Sequence, residues 1–111
     1  MKITILALFA MCLCTLSSFA QSTYSVKGAT VDTASMAKLT ATVTVLNAKD
    51  SVLITYTRAI NDGLFSLSGL PAGKYLLLVT YPEYADYVEG FTLDPLNKDH
   101  DFGNINMQLK S

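Results

Sequence analysis

The 111-residue sequence has no tryptophan, one histidine and few charged residues, and its formal net charge is −1. A nucleic-acid-binding domain needs a basic patch that neutralises phosphates, so this charge balance argues against a nucleic acid partner. Nucleophilic catalysis needs a base and an orienting group beside the nucleophile, and the only histidine, His100, lies in a polar segment between two aspartates. The G-x-S-x-G turn of many serine hydrolases is absent. The residues therefore predict no catalytic site, and the protein is expected not to be an enzyme.

Residues 1–20 have the layout of a secretory signal peptide. Lys2 gives a positive end, residues 3–16 form an uncharged apolar run, and Ser18 and Ala20 place small side chains at the two positions that a signal peptidase recognises. The apolar run is shorter than the roughly 20 residues that span a bilayer as a helix, which disfavours a membrane anchor. We therefore expect a helical signal peptide over 1–20 and one mature domain over 21–111.

Both cysteines of the chain, Cys12 and Cys14, lie inside this apolar run. In a signal peptide they are small apolar residues rather than a metal or redox pair. The mature chain then has no thiolate and a single histidine, so no zinc site, other metal site or cofactor is expected. It would also enter an oxidising compartment without a disulfide, so packing alone must hold it together.

The residues from position 24 onward alternate between apolar and polar with a period of two, and no segment shows the stripe of an amphipathic helix. Short strands are predicted over residues 24–31, 41–45, 52–60, 64–67, 75–81, 87–93 and 103–109. Seven short strands separated by turns are typical of a sandwich of two antiparallel sheets. The sequence Asn61-Asp62-Gly63 predicts a tight hairpin between the third and fourth strands.

Acidic residues are concentrated in the last third of the chain, and residues 94–101 form a polar loop. This loop lacks the D-x-D-x-D-G register of a calcium-binding loop. We expect a solvated loop that keeps the sandwich soluble, with a weak calcium site as the alternative.

The predicted strand over residues 75–81 has apolar residues on both faces. If Tyr75, Leu77 and Val79 face the core, then Leu76 and Leu78 face outward. A strand that is apolar on both faces is typical of a sheet covered on both sides. Either the chain's own loops cover Leu76 and Leu78 or a partner does, and both readings stay open.

Tyr84 and Tyr87 follow this strand, beyond the proline that ends it. Aromatic rings on a β-surface can stack on sugars, although they more often fill a core with the polar end bonded to a partner. The possible partner surface therefore consists of Leu76, Leu78, Tyr84 and Tyr87, with a glycan as one possible ligand.

The segment over residues 61–84 resembles the carboxypeptidase regulatory-like domain, which has a transthyretin-like or prealbumin-like sandwich fold. The resemblance is carried by Gly63 and Phe65, by Leu-Pro-Ala-Gly at residues 70–73, and by Tyr75 and the alternating residues after it. It extends over residues 23–110. The implied fold class is an all-β, seven-stranded antiparallel β-sandwich.

The resemblance also implies a non-catalytic module. In Bacteroidetes-like outer-membrane receptors, such a domain lies in the periplasm, between the signal peptide and a plug or barrel of the TonB-dependent type. We expect export to the periplasm or outer membrane of a Gram-negative bacterium, with a membrane β-barrel or plug as partner, in the same chain or separate.

The sequence ends at Ser111, where a barrel would begin. It therefore corresponds either to the N-terminal part of a receptor or to a free-standing secreted carbohydrate-binding or adhesive sandwich. A truncated carboxypeptidase or other hydrolase is the third possibility, and it needs catalytic groups that residues 21–111 do not contain.

Overall fold

The structure is a computed structural model that describes residues 23–110. The predicted signal peptide over 1–20 lies outside the described residues. Within them the chain forms seven strands in this order: β1 (Tyr24–Asp32), β2 (Thr42–Asn47), β3 (Leu53–Arg58), β4 (Leu64–Leu70), β5 (Gly73–Thr80), β6 (Tyr87–Leu93) and β7 (Asp99–Met107). No helix in this range is long and apolar enough to cross a membrane.

The strands form two sheets that pack face to face. One sheet has three strands in the order β4-β1-β7, and the other has four in the order β3-β2-β5-β6. The predicted fold class, an all-β sandwich of seven strands, is confirmed. It follows from the period-two pattern, because alternate side chains of each strand then meet in one core between the sheets.

The pairing of β1 with β7 is parallel, whereas β1–β4, β2–β3, β2–β5 and β5–β6 are antiparallel. A parallel pair needs a long connection, which is a helix in most proteins. Here strands β2 to β6 supply that connection. The chain leaves the three-stranded sheet after β1, returns to it at β4, leaves again and returns at β7. A parallel pair without a crossover helix is therefore possible in this sandwich.

The core is built from the inward residues of both sheets. On β5, Leu77 and Val79 are fully buried, and their register partners on β2, Val45 and Val43, are fully buried as well. The remaining large core residues come from β1, β4, β6 and β7: Tyr24, Val26, Phe65, Leu70, Phe91, Leu93, Ile105 and Met107. The inward direction predicted for Tyr75, Leu77 and Val79 is confirmed.

The turn at residues 61–63 forms, but the predicted hairpin is wrong. Gly63 N donates to the carbonyl of Ile60 at 2.7 Å, and Ile60 N donates to the carbonyl of Leu64 at 3.0 Å. The strands on either side, β3 and β4, belong to different sheets. Buried Ala59 lies at the corner where the chain crosses from one sheet to the other. An Asp-Gly turn specifies a local reversal of the chain, whereas the apolar and polar pattern of the residues after it decides which sheet the next strand joins.

The last strand begins earlier than its sequence suggests. Residues 99–101 were predicted as part of a polar loop, but they pair in register with residues 25–27 of β1. Strand β7 is an edge strand, and polar side chains on its outer side meet solvent. This exposed position is why charged residues are compatible with strand structure here.

Candidate functional site

The outer side of the four-stranded sheet carries an apolar surface centred on β5. Leu76 and Leu78 are both half-buried and point away from the core. Leu78 lies in register with Thr44 on β2 and Val88 on β6, while Leu76 lies in register with Leu46 on β2. We use the name outer apolar face for five residues: Leu46, Tyr56, Leu76, Leu78 and Val88.

The margins of the outer apolar face are open to solvent. Tyr56, in register with Thr44, is 66% exposed, and Val88 is 58% exposed. The register partner of Leu76 on β6 is Gly90, which has no side chain to cover the leucine. A Cβ added at Gly90 would lie 3.8 Å from Leu76 Cδ2. No segment within residues 23–110 therefore covers Tyr56 and Val88, the margins of this face.

Tyr84 is held in a hydrogen-bonded corner at one end of the sandwich. Its hydroxyl donates to a carboxylate oxygen of Asp32, the last residue of β1. Its ring packs edge-on against Tyr81, with ring centroids 5.6 Å apart. Backbone bonds from Ala85 N to the carbonyl of Gln108 and from Lys110 N to the carbonyl of Glu83 close the corner, at 2.8 and 2.9 Å.

Asp32 is the acceptor on which this corner depends. Its carboxylate accepts the hydroxyl of Tyr84 and the backbone N–H groups of Ala34 and Ser35, at 2.8 and 2.9 Å for the latter two. The Tyr84 hydrogen bond, followed by those from Ser35 and Ala34, lowers the pKa of Asp32 below its usual 3.8. In turn, the hydrogen bond to Asp32 raises the pKa of Tyr84 to about 12. The network fixes the loop after β1 against the β5–β6 connection.

Tyr87 lies on the inner side of β6, in register with Val79. Its hydroxyl donates to Glu89, two residues along the same strand. This hydrogen bond, followed by burial, raises the pKa of Tyr87 to about 12. The structure therefore brings Leu76 and Leu78 together on one surface, and it places Tyr84 and Tyr87 away from that surface with their hydroxyl groups already bonded.

The acidic loop uses its carboxylates in local turns. Asp94 accepts from the backbone N–H groups of Leu96 and Asn97, at 2.9 and 3.0 Å. Asp101 accepts from Gly103 N at 2.8 Å. Over residues 23–110, no group of three or more His, Cys, Asp or Glu side chains is arranged to hold a metal ion.

His100 takes part in an aromatic cluster that the sequence does not reveal. Its ring centroid lies 4.4 Å from that of Phe102 and 5.6 Å from that of Phe91. Its Nδ1 lies 2.8 Å from Nδ2 of Asn97, which also donates to the carbonyl of Thr92. The imidazole closes the edge of the core between β6 and β7 and has no nucleophile beside it in these contacts.

A cleft of about 640 Å³ lies beside the edge strands β3 and β4. Its lining combines the apolar Leu64 and Phe65 with the charged Lys27, Arg58 and Asp101. Sequence reasoning missed this cleft, although a glycine inside a strand is one available signal, since it often marks a close approach of other groups. Gly28 on β1 is such a residue, because a Cβ there would lie 2.9 Å from the ring of Phe65.

Comparisons with solved structures show the same sandwich in proteins of low sequence identity. The major pilin subunit BcpA of Bacillus cereus superposes with a TM-score of 0.68 at 12% identity, over 80% of this chain and 31% of that chain. The pilus 2b backbone protein of group B streptococcus gives a TM-score of 0.60 at 16% identity, over 79% of this chain and 42% of that chain. The chain thus spans less than half of either pilin.

A third structure, the 5-hydroxyisourate hydrolase of Klebsiella pneumoniae, superposes with a TM-score of 0.56 at 13% identity, over 79% of this chain and 94% of that chain. At such identities these likenesses show the fold alone. The curated proteins contain no match to the chain.

The sequence model of the carboxypeptidase regulatory-like domain matches residues 25–109. This range contains every strand except the first residue of β1. The family is regulatory-like rather than catalytic, and the turn residues around Gly63 and Pro71 that carry the resemblance shape the sandwich. The chain belongs to the carboxypeptidase regulatory-like domain family.

Proposed function

We propose that the protein is a non-catalytic periplasmic module that docks, through its outer apolar face, against the plug or barrel of a TonB-dependent outer-membrane receptor. The observation that carries this proposal is the pair Leu76 and Leu78 on the central strand of the four-stranded sheet. A sandwich whose outer faces meet only water normally carries polar residues there. Strand β2 follows that rule with Thr42 and Thr44 and departs from it only at Leu46, whereas β5 departs from it at both Leu76 and Leu78.

The chemistry of the outer apolar face suits a protein partner. Apolar residues grouped on a surface mark interaction sites more often than scattered ones do. The face has leucines at its centre and aromatic and β-branched residues at its margins, an arrangement that resembles the apolar centre of protein interfaces. The outer-membrane setting is supported by the signal-like residues 1–20 and by the resemblance over residues 61–84.

The experiment compares native protein and variants in the host that makes it. Val88→Lys introduces a charge at an exposed margin of the face, where the fold tolerates it. Leu96→Lys is the matched control, because Leu96 is 98% exposed and lies in the β6–β7 loop, away from the face. We expect the native protein to fractionate with the outer membrane and to cross-link to a β-barrel protein. Val88→Lys should lose both properties, and Leu96→Lys should keep them.

A native product that is soluble, small and monomeric would contradict this proposal. An equal effect of Val88→Lys and Leu96→Lys would contradict docking through the face.

The cleft beside Phe65 favours a second candidate, a free-standing secreted carbohydrate-binding or adhesive sandwich. Its apolar floor and its polar rim, which includes Arg58 and Asn104, are features of small-molecule sites. A glycan array checks this candidate: it requires binding that Arg58→Ala and Asn104→Ala both weaken. Because Tyr84 and Tyr87 are bonded elsewhere, the geometry supports sugar stacking on these rings less well than docking on the outer apolar face.

A further inference from the structure

Strand β3 is an edge strand with little protection against pairing with another strand. It lies at the end of the four-stranded sheet, and Leu53, Ile54 and Tyr56 are 54%, 42% and 66% exposed. Residues 51–57 contain no charge, no proline and no glycine, and they are rich in β-branched and aromatic residues. Natural edge strands usually carry charges, prolines or bulges that prevent pairing.

The other edge strands carry such features. Strand β7 has Asp99 and Asp101, and its pairing with β1 shifts register near Gly103, whose φ is 64°. Strand β6 has Glu89 and Gly90 within its edge. Strand β4 contains Gly69 with a φ of 77°. Strand β3 has one such feature, a bulge at Ile54 where its pairing with β2 shifts register, but it has no charge, proline or glycine between residues 53 and 57. The three exposed large apolar residues on this one edge distinguish β3 from the other edge strands.

Beyond its bulge at Ile54, the backbone of β3 presents unpaired groups at alternate positions. Ala59 N donates to the carbonyl of Ala41, the residue before β2, at 2.8 Å. Since strand N–H groups alternate in direction, the N–H groups of Thr57 and Thr55 also point to β2. The N–H of Tyr56 and the carbonyls of Ile54 and Tyr56 therefore point to the free edge.

We propose that β3 pairs antiparallel with β3 of a second copy of this chain, with the two-fold axis at Thr55. In this register each Tyr56 N–H donates to the Ile54 carbonyl of the other copy. Tyr56 and Ile54 of the two copies then lie opposite each other twice, and Thr55 lies opposite its own equivalent. Aromatic with β-branched and threonine with threonine are cross-strand pairs that stabilise antiparallel sheets.

This self-complementarity selects a second copy over an unrelated strand. A two-fold interface requires that the same segment supply both halves of each contact, and β3 meets this requirement in its hydrogen-bonding groups and in its side chains. Pairing would join two four-stranded sheets into one of eight strands. It leaves Leu76, Leu78 and Val88 uncovered, and Tyr56 is the one residue of the outer apolar face that takes part in it.

The first test separates backbone pairing from side-chain contact at position 56. Tyr56→Pro removes an N–H that points to the free edge, so no hydrogen bond within the chain is lost. Tyr56→Val is the control, since it removes the aromatic ring and keeps the N–H. Sedimentation equilibrium of the protein expressed from the full chain, over a concentration series, should show a dimer. Tyr56→Pro should raise the dissociation constant at least about tenfold more than Tyr56→Val does, because two symmetry-related hydrogen bonds are lost.

The second test reads the register and does not depend on the proline variant folding. Facing residues of a pair without mutual hydrogen bonds have Cα atoms about 4.5 Å apart, within disulfide range. Thr55→Cys should therefore form a disulfide between two copies under mild oxidation. In the same register the two Cα atoms of residue 57 lie about 14 Å apart, at about 3.4 Å per residue. Thr57→Cys should therefore form no disulfide between two copies. Peptide mapping separates a disulfide at position 55 from any at Cys12 or Cys14.

Two results would overturn the proposal. One is a monomer at every soluble concentration. The other is equal cross-linking at positions 55 and 57, which would show contact without this register. A dimer that tolerates Tyr56→Pro as well as Tyr56→Val would also count against pairing through β3.

Discussion

The hydroxyl of Tyr84 donates to a carboxylate oxygen of Asp32, a residue 52 positions earlier in the chain. Asp32 ends a strand of the three-stranded sheet, whereas Tyr84 belongs to the connection between two strands of the four-stranded sheet. The bond therefore joins the two layers of the sandwich at one end. Because residues 23–110 contain no cysteine, no disulfide joins the two layers there, and such polar contacts take on part of that role.

Acid should weaken the fold through Asp32. Its folded-state pKa lies below the usual 3.8, so its contribution to stability is complete above that value and is lost as the pH falls through the folded pKa. Tyr84→Phe removes the largest cause of the shift and should reduce this acid dependence. Urea unfolding at about pH 6 and about pH 3 measures it.

Asp86→Asn is the control for this measurement, since Asp86 is an exposed carboxylate in the same connection. It should keep the native acid dependence. Equal acid dependence in the native protein and in Tyr84→Phe would show that the Tyr84–Asp32 bond does not act on stability.

Alkali should weaken the fold through the same tyrosine and through Tyr87. Both have a folded-state pKa of about 12, above the usual 10.0, because each hydroxyl donates to a carboxylate. A group with a raised pKa gives stability that is complete below its unfolded value and is lost as the pH rises toward the folded value. The free energy of unfolding should fall between about pH 10 and about pH 12.

The ultraviolet absorbance of phenolate follows this titration directly. In the native protein, part of the absorbance change should lag behind the rest, and combining Tyr84→Phe with Tyr87→Phe should reduce the late part. Buried Tyr75 remains in the late part, because burial raises its pKa as well. A single early transition in the native protein would refute the assignment.

The two faces of β5 should respond very differently to truncation. Leu77 is fully buried and Leu76 only half-buried, although the two are adjacent in the chain. Leu77→Ala should cost about 2–5 kcal/mol of unfolding free energy, because it leaves a cavity in the core. Leu76→Ala should cost less than about 1 kcal/mol, because solvent already reaches it. Denaturant unfolding of the two variants makes the comparison, and equal costs would mean that the outer apolar face is covered within the isolated domain.

Sequence patterns predicted the fold better than they predicted the surfaces. The period-two pattern located all seven strands, because inward residues such as Leu77 and Val79 must alternate with outward ones. The parallel β1–β7 pairing could not be read in this way, since period two does not depend on strand direction. The crossing between sheets at Ala59 was missed for a related reason: a turn sequence specifies local geometry and not the partner of the next strand.

The candidate site was only partly accessible from sequence. The outward direction of Leu76 and Leu78 followed from alternation, which holds within one strand. The position of Tyr84 depends on Asp32, a partner distant in the sequence. The position of Tyr87 depends on which face of β6 turns inward. The exposed edge of β3 required the sheet order, because a strand's own residues do not show where it lies in a sheet.

Two glycines with nearly the same backbone conformation should differ in their tolerance of a methyl group. Gly63 has a φ of 78° and Gly69 a φ of 77°, both in the left-handed region. A Cβ at Gly63 would lie 2.7 Å from the carbonyl oxygen of Thr30, whereas a Cβ at Gly69 meets nothing within 4 Å. Gly69→Ala should therefore cost about 1–2 kcal/mol from conformation alone.

Gly63→Ala carries the same conformational cost and a clash with backbone in addition. The contacted carbonyl of Thr30 cannot move freely, since it accepts a hydrogen bond from Leu39 N at 3.0 Å. Chemical denaturation of both alanine variants should show the larger loss at position 63, by at least about 1 kcal/mol, in line with the cost of forced close contacts in packed sites. If both variants lose the same stability, the turn at residues 60–64 can shift as a unit, and the chain's crossing between the sheets is less rigid than its hydrogen bonds indicate.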